Sequence, residues 1–400
     1  MVWVAPFLLI IPYFLPLMFI GKLDSAAKNI VLGNLVLWMS SSALIYVSGA
    51  LTYALAYGNT PPFLWNVAFF SLCLLVESAI ICWILSRARK RSNGSTMSLL
   101  SHSPRINLAP FLVLALLFFV SYVILTDGDA IFRPRVAYQL KRSGIGWIWA
   151  GMIVFTTMYF VAYSASKAKF SRKLFLATLF VMWCSGSKQL ILGFIIINYF
   201  NPWMAIRDKK LYVYAALPVS LLAFYYLFGQ FTAEDSFANR LANYFDAFSL
   251  STRVFEDRST GSLKYYGGEI WLSSWWADVP RAIFPDKPYA YGSTYLLEVY
   301  YPGMAATGAT PSFGEFTQFY ADFGWVGIFA ASLRFQSLLR FYAIHNICQR
   351  RKGWREGFSV GYLLFPGFAF HFPVFTILPV FWFLSKAKIN SSKVEIHERS

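Results

Sequence analysis

The apolar stretch PFLWNVAFFSLCLLVESAIICWIL at residues 62–85 decides the fold class. It has the length of a transmembrane helix, which needs about 17–25 apolar residues, and Glu77 is its single charged residue. Comparable stretches occur at residues 2–20, 108–125, 147–163 and 211–228. We interpret the first of them as a retained helix, because it lacks the basic start and the small-residue cleavage site of a signal peptide.

The composition of the whole chain agrees with this interpretation. The chain is 57% hydrophobic and 14% charged, whereas soluble domains average about 45–50% and about 25%. We therefore predict one all-α polytopic membrane domain over residues 1–400, with about 10–12 transmembrane segments that include broken or re-entrant helices.

The basic residues between the apolar stretches predict the orientation of the chain. Lys and Arg are retained in cytosolic loops, so the four most basic segments are predicted to be cytosolic. These are residues 86–105, 164–173, 201–210 and 349–355. They also explain the formal charge of +16 without a nucleic-acid partner.

The stretch 174–200 lies between two segments that are both predicted to be cytosolic, so it must cross the membrane an even number of times. Gly186, Ser187 and Lys188 stand at its middle. We predict a helical hairpin with a break at residues 186–188, which a membrane tolerates only where protein or water satisfies the backbone. The alternative is one long tilted helix whose Lys188 side chain reaches the membrane surface.

Residues 230–320 form the one long polar segment, with ten acids against six bases. By parity this large loop is predicted to be periplasmic and to contain short helices. Within it, residues 237–258 carry apolar positions such as Phe248 and Val254 at helical spacing, which favours a helix lying on the membrane surface.

A shorter loop at residues 126–146 is also predicted to be periplasmic. Against the usual charge bias, it carries four basic residues with two acids: Arg133, Arg135, Lys141 and Arg142 with Asp127 and Asp129. Guanidinium groups bind phosphate oxygens bidentately, so an anionic ligand is one explanation. Contact with anionic lipid headgroups is the other.

Other kinds of chemistry have little support in the sequence. There is no Walker-type loop, no HExxH and no CxxC pair, so we predict neither a metal nor a cofactor. The four cysteines lie in or beside apolar segments and imply no disulfide framework.

Three short runs make the sequence more specific. They are VPRAIFPDKP at residues 279–288, TPSFGEF at 310–316 and FGWVG at 323–327. In addition, ten residues separate an Arg from a following Gly in two predicted periplasmic loops, as in Arg133 with Gly144, Arg135 with Gly146 and Arg281 with Gly292. With the Gly-Ser-Lys break, these features resemble the Wzy-type O-antigen and oligosaccharide repeat-unit polymerases.

The resemblance implies a multi-pass protein of the bacterial inner membrane whose active site faces the periplasm. Such enzymes join repeat units carried on polyprenyl diphosphate, so the implied partners are a lipid-linked donor, a lipid-linked acceptor and membrane lipid, with a chain-length regulator protein as a further candidate. One alternative is the O-antigen ligase, which shares the donor chemistry. A polysaccharide flippase is the alternative from another class. A membrane O-acyltransferase is disfavoured, because it should have a histidine within the membrane and His371 is the only candidate in the sequence.

The same resemblance assigns candidate roles. Preorganised cations would stabilise the leaving diphosphate, and a carboxylate would take the proton of the acceptor hydroxyl; the catalytic candidates are Arg133, Arg135, Arg142, Arg281 and Glu315. Headgroup pairing for the arginines and helix capping for Glu315 remain open. The substrate-binding candidates are Tyr138, Gly144, Lys188, Arg253, Lys287, Gly292, Trp275 and Trp276, of which the tryptophans are equally suited to interfacial anchoring.

Three further residues are functional candidates because ionisable groups are rare in or near apolar spans. They are Glu77, Arg334 and Arg340. None matches a motif of the polymerases.

Overall fold

A computed structural model describes residues 4–88, 107–167, 171–200, 246–279, 281, 283–306, 313–351 and 354–364. All regular structure in these residues is helical, which confirms the predicted fold class at this level. Three helical stretches among them are long and apolar enough to cross a membrane: Ala5–Lys22, Pro61–Ser86 and Ile145–Ser164. The predicted stretch 211–228 lies outside the described residues, and the total number of crossings stays a prediction.

The helices follow one another along the chain as α1 Val4–Leu8, α2 Ile11–Phe14, α3 Ser25–Tyr57, α4 Pro61–Ser86, α5 Ala109–Leu125, α6 Asp129–Phe132, α7 Pro134–Lys167, α8 Arg172–Cys184, α9 Lys188–Phe200, α10 Asp246–Ser259, α11 Glu269–Ser273, α12 Tyr295–Tyr300, α13 Glu315–Phe323, α14 Gly327–Ser332, α15 Phe335–Cys348 and α16 Trp354–Leu364. The chain divides into two compact units. The first comprises Met1–Phe19, Trp38–Trp83 and Ser220–Leu338, and the second the remainder.

Aromatic side chains hold the first unit together, where α10 and α13 pack on α4. The ring of Phe70 contacts those of Phe248 and Phe316 at centroid distances of 5.9 and 5.6 Å. The ring of Phe255 stacks on that of Tyr320 at 3.7 Å.

The position of α10 corrects one expectation. Phe248 and Val254 were predicted to face the membrane surface, but both are fully buried. The Phe248 ring packs against those of Phe63 and Phe70, so the apolar face of α10 is covered by protein. Residues 237–245 of the predicted helix lie outside the described residues.

The Phe-Gly-x-x-Gly run joins α13 to α14 by a close backbone approach. Gly324 has φ of 60°, which favours glycine. At Gly327, an added Cβ would lie 2.3 Å from the carbonyl oxygen of Phe319. Gly324 is therefore favoured by its backbone conformation, and Gly327 by the close packing of α14 against α13.

We expect Gly327→Ala to lower the free energy of unfolding by about 1–3 kcal/mol, because overpacking must push α14 away from α13. Thermal unfolding of the purified protein in detergent measures the effect. Gly21→Ala is the control, since a Cβ at Gly21 meets nothing within 4 Å. Equal melting temperatures for the two variants would contradict this account of the motif.

The connecting segment predicted at residues 126–146 contains short helical stretches. Residues Asp129–Phe132 and Pro134–Lys167 are helical, but the second stretch is interrupted at Ile145, whose φ of −116° and ψ of 19° are not helical. The helix that is long enough to cross a membrane, Ile145–Ser164, therefore begins where the predicted segment ends. The turn before Asp129 covers only a few residues. There the N–H groups of Asp127 and Gly128 donate to the carbonyls of Ile124 and Val123, each at 3.0 Å. The reason is local: Pro is favoured at the first helical position, and Ala, Gln, Leu, Lys and Arg are good helix formers. The side of the membrane on which this segment lies stays a prediction.

Two helices occupy the stretch predicted to be a hairpin. α8 ends at Cys184, α9 begins at Lys188, and Gly186 between them has φ of 70°. The helices fold back on each other, with the rings of Phe175 and Phe194 stacked at 5.3 Å. The place of this pair in a membrane stays a prediction.

Candidate functional site

A buried ionic network in the first unit brings together three charged residues that are far apart in sequence. The Nη2 atom of Arg334 lies 2.8 Å from Oε1 of Glu77, and its Nη1 atom forms an ion pair with Glu315. The side chain of Glu77 is 0% exposed, that of Arg334 9% and that of Glu315 39%. One guanidinium therefore links a fully buried carboxylate to one that solvent or substrate can reach.

Ser337 completes the inner side of this network. The Nε–H of Arg334 donates to Oγ of Ser337 at 2.7 Å, and the Ser337 hydroxyl donates to Oε1 of Glu77 at 2.6 Å. Glu77 thus accepts two hydrogen bonds on the same oxygen, and charge-assisted bonds of this kind are stronger than neutral ones. The guanidinium also lies over the ring of Phe316, at 5.2 Å from its centroid.

The start of α13 is held in place by neighbouring helices. The backbone N–H of Glu315 donates to the Tyr46 hydroxyl at 3.1 Å. From α10, the Ser251 hydroxyl donates to the Phe313 carbonyl and accepts from the Thr317 hydroxyl at 2.7 Å. Gly314 has φ of 74°, and a Cβ there would lie 3.2 Å from both Ser251 and Tyr46. The conformation of the Gly-Glu pair is therefore fixed by its surroundings.

This arrangement suits Glu315 for proton transfer. Its carboxylate is partly exposed and anchored on one side by Arg334. A base must be held within hydrogen-bond reach of the hydroxyl that it deprotonates. Glu77, being fully buried, can only act through Arg334.

Arg281 and Lys287, two further predicted site residues, are engaged with their own loop. Arg281 donates to the carbonyls of Pro285, Lys287 and Pro288, and its guanidinium lies 4.1 Å from the centroid of the Tyr289 ring. The Lys287 ammonium donates to the carbonyl of Val279 at 2.9 Å. These contacts gather the described residues of this loop around the two cations. A contact of either cation with a diphosphate stays a prediction.

Arg133 in the second unit is more accessible. Its side chain is 69% exposed and pairs with Asp129, one helical turn earlier, at 2.9 Å. An exposed pair of this kind contributes about 0–1 kcal/mol, so a ligand can compete for the guanidinium. The side chains of Arg135, Tyr138, Arg142 and Lys188, and the surroundings of Gly144, lie outside the described part of the structure.

The remaining predicted binding residues lie in the first unit. Arg253 on α10 is 4.0 Å from Asp257 and lies over the Tyr300 ring at 5.1 Å. The Trp275 ring is exposed and contacts Phe335, whereas that of Trp276 contacts Phe284. The backbone N–H of Gly292 donates to Ser273 at 2.9 Å, so this glycine packs against the end of α11.

Asp322 is a structural carboxylate that sequence analysis missed. It is buried and accepts hydrogen bonds from the backbone N–H groups of Ile270 and Trp271, at 3.0 and 2.8 Å. Burial raises the pKa of Asp322, although these hydrogen bonds act in the opposite direction. The residue ties the start of α11 to the end of α13.

A surface cluster beside α11 combines tyrosines with an acid. The Tyr295 hydroxyl donates to Glu269 at 2.8 Å, and its ring contacts that of Tyr266. Burial, followed by the hydrogen bond to Glu269, raises the pKa of Tyr295 to about 12. Tyr295 therefore stays protonated near neutral pH, with its hydroxyl serving as a donor.

A metal site was not predicted. Within the described ranges, no group of three or more His, Cys, Asp or Glu residues is placed to hold a metal ion. The close pair Asp127 and Asp129 belongs to the turn before α6, where Asp129 pairs with Arg133.

The chain is similar to two curated proteins, the O-antigen polymerases of Salmonella typhimurium (strain LT2) and Salmonella typhi. Each is 26% identical over 302 residues, which cover 72% of this chain and 69% of the relative. No family model and no solved structure matches the chain. The resemblance to O-antigen polymerases predicted from the sequence motifs is confirmed by this similarity.

Proposed function

We propose that this protein is a membrane glycosyltransferase that polymerises polyprenyl-diphosphate-linked oligosaccharide repeat units into O-antigen or a related surface polysaccharide. The observation that carries the proposal is the partly exposed Glu315, anchored by Arg334 and lying in a Gly-Glu-aromatic run. A chain similar to O-antigen polymerases thus presents a positioned carboxylate, as transfer to a hydroxyl requires.

In the proposed reaction, the acceptor sugar hydroxyl attacks the anomeric carbon of the donor glycan. Glu315 takes the hydroxyl proton, the new glycosidic bond forms, and the bond to the diphosphate breaks. The electron pair of that bond leaves with the polyprenyl diphosphate. The growing negative charge calls for fixed cations, and the candidates that the sequence offers for this role are Arg133, Arg135, Arg142 and Arg281.

Arg281 is proposed to contribute by shaping the loop around it, because its donors are directed to three loop carbonyls. The exposed rings of Trp275 and Tyr289 are proposed to stack on sugar faces. We further propose that the site faces the periplasm at the inner membrane, since the predicted cytosolic loops hold the basic excess. A chain-length regulator is a proposed partner.

Deletion of the gene followed by gel analysis of lipopolysaccharide tests the proposed function. A polymerase mutant retains core that bears a single repeat unit, so the ladder should collapse to one band above the core. Loss of every repeat unit would instead indicate a ligase or a flippase. Lipid-linked polymer accumulates in a ligase mutant but not in a flippase mutant, so its amount distinguishes these two functions.

Metal independence is a further expected result. The proposed cations are guanidinium groups, which keep their charge at all working pH values and occupy the electrostatic role that Mg²⁺ would otherwise fill. Purified protein should therefore polymerise lipid-linked units in excess EDTA at close to its untreated rate. A loss of activity that Mg²⁺ or Mn²⁺ restores would contradict this mechanism and direct attention to Asp127 and Asp129.

A further inference from the structure

We propose that Glu77, together with Ser337, is a positioning residue that holds Arg334 against Glu315, and that the rate of the chemical step depends on it. This inference rests on the proposed function. It concerns residues that lie in no motif of the polymerases: Glu77 belongs to the apolar helix α4, and Arg334 lies in the short link between α14 and α15.

The cost of burial is the first reason. Glu77 is fully buried and Arg334 nearly so, and each buried ion loses several kcal/mol of hydration free energy, which partners must offset. An apolar pair of similar volume would often serve stability as well. A charged pair at this position therefore calls for a role beyond stability.

The geometry supplies that role. Arg334 is held on its inner side by two bonds, from Nη2 to Glu77 and from Nε to Ser337, and Ser337 is itself fixed by its hydrogen bond to Glu77. These contacts use one edge of the planar guanidinium and leave Nη1 directed at Glu315. The position of the outer nitrogen is thus set by the inner carboxylate.

The consequence concerns Glu315. An arginine side chain carries about 2 kcal/mol of rotamer entropy, and without Glu77 the partly exposed Glu315 would have to order it alone. The carboxylate would then sample several positions relative to the acceptor hydroxyl. Misplacement of a reacting group by about 1 Å can cost about 10²-fold in rate.

The test compares Glu77→Gln, Ser337→Ala and the double variant Glu77→Gln/Arg334→Met in purified, reconstituted protein that elongates lipid-linked repeat units. Ser78→Ala is the matched control, because Ser78 is the next residue on α4, is also buried, and donates to the Pro12 carbonyl instead. Steady-state kinetics give kcat and KM separately, and thermal unfolding reports stability.

We expect Glu77→Gln to lower kcat by up to about 10²-fold, because its amide oxygen keeps the two hydrogen bonds but a neutral acceptor holds a guanidinium less strongly than a carboxylate does. KM should change little, since Glu315 acts in the transition state. Ser337→Ala should lower kcat less, also without a change in KM. The double variant removes both buried charges and should recover stability but not kcat. Ser78→Ala should lose stability with kcat unchanged.

Three outcomes would overturn the proposal. They are a wild-type kcat in folded Glu77→Gln, a wild-type kcat in Ser337→Ala or in the double variant where Glu77→Gln does not fold, or an equal fall in kcat for Ser78→Ala. If Glu77→Gln does not fold, Ser337→Ala and the double variant decide the matter. A failure of wild-type protein to make polymer would reject the proposed function, whereas polymer from wild-type protein with any of these outcomes rejects the positioning role alone.

Discussion

Glu315→Gln is expected to reduce polymerisation by about 10²–10⁴-fold, the range that a positioned general base contributes. The amide keeps the size of the side chain and can still accept a hydrogen bond from Arg334, but it cannot take a proton from the acceptor hydroxyl. Lipopolysaccharide from cells that carry this variant should show core with a single repeat unit, as in the deletion strain.

The amount of Glu315→Gln protein in the membrane must equal that of wild type for this result to count. Glu256→Gln is the matched control, since Glu256 is an exposed acid on α10 in the same unit. It should retain the full ladder. A wild-type ladder from Glu315→Gln would remove Glu315 from the chemistry and leave it as a structural partner of Arg334.

Arg281→Ala is expected to reduce polymer by about 10²-fold, in line with the cost of misplacing substrate-positioning groups. The carbonyls of Pro285, Lys287 and Pro288 would lose their common donor, and the Tyr289 ring its cation. Arg281→Lys should restore only part of the activity, because an ammonium on a flexible stem cannot reproduce a planar fork.

Gel analysis of lipopolysaccharide at matched protein levels measures this effect as well. Lys264→Ala serves as the control, because Lys264 is an exposed cation between α10 and α11. Full activity of Arg281→Ala would show that the loop does not need its central arginine. Full activity of Arg281→Lys would show that a point charge suffices and would favour headgroup pairing over a shaped loop.

The apolar helices were predictable because length and composition suffice for them. The stretch 62–85 corresponds to α4, Pro61–Ser86, to within one residue at each end. A glycine in the middle of an apolar stretch likewise pointed to the interruption between α8 and α9, where Gly186 has positive φ.

The packing of α10 was not predictable, because an apolar helical face has the same sequence pattern whether lipid or protein covers it. The helical conformation of residues 134–144 was not predictable for a related reason, since basic residues are common in connecting segments and are also good helix formers.

The charged residues of the site could be predicted from the sequence, but their association could not. Glu315 was found by its motif, and Glu77 and Arg334 by being charged in or near apolar segments. Their association was hidden, because Glu77 and Arg334 are 257 residues apart and no local pattern links α4 to the residues after α14. The sequence did not identify the polar residues that support the site, because a polar side chain in a helix is usually structural. These residues are Tyr46, Ser251 and Asp322.

Reconstitution tests the central claim most directly. Purified protein in lipid vesicles, supplied only with polyprenyl-diphosphate-linked repeat units, should produce glycans that differ by whole repeat units and release one polyprenyl diphosphate for each glycosidic bond formed. Glu315→Gln protein prepared in the same way should produce neither. Wild-type protein that moves the lipid-linked units across the vesicle membrane without lengthening them would contradict the account and indicate a transporter.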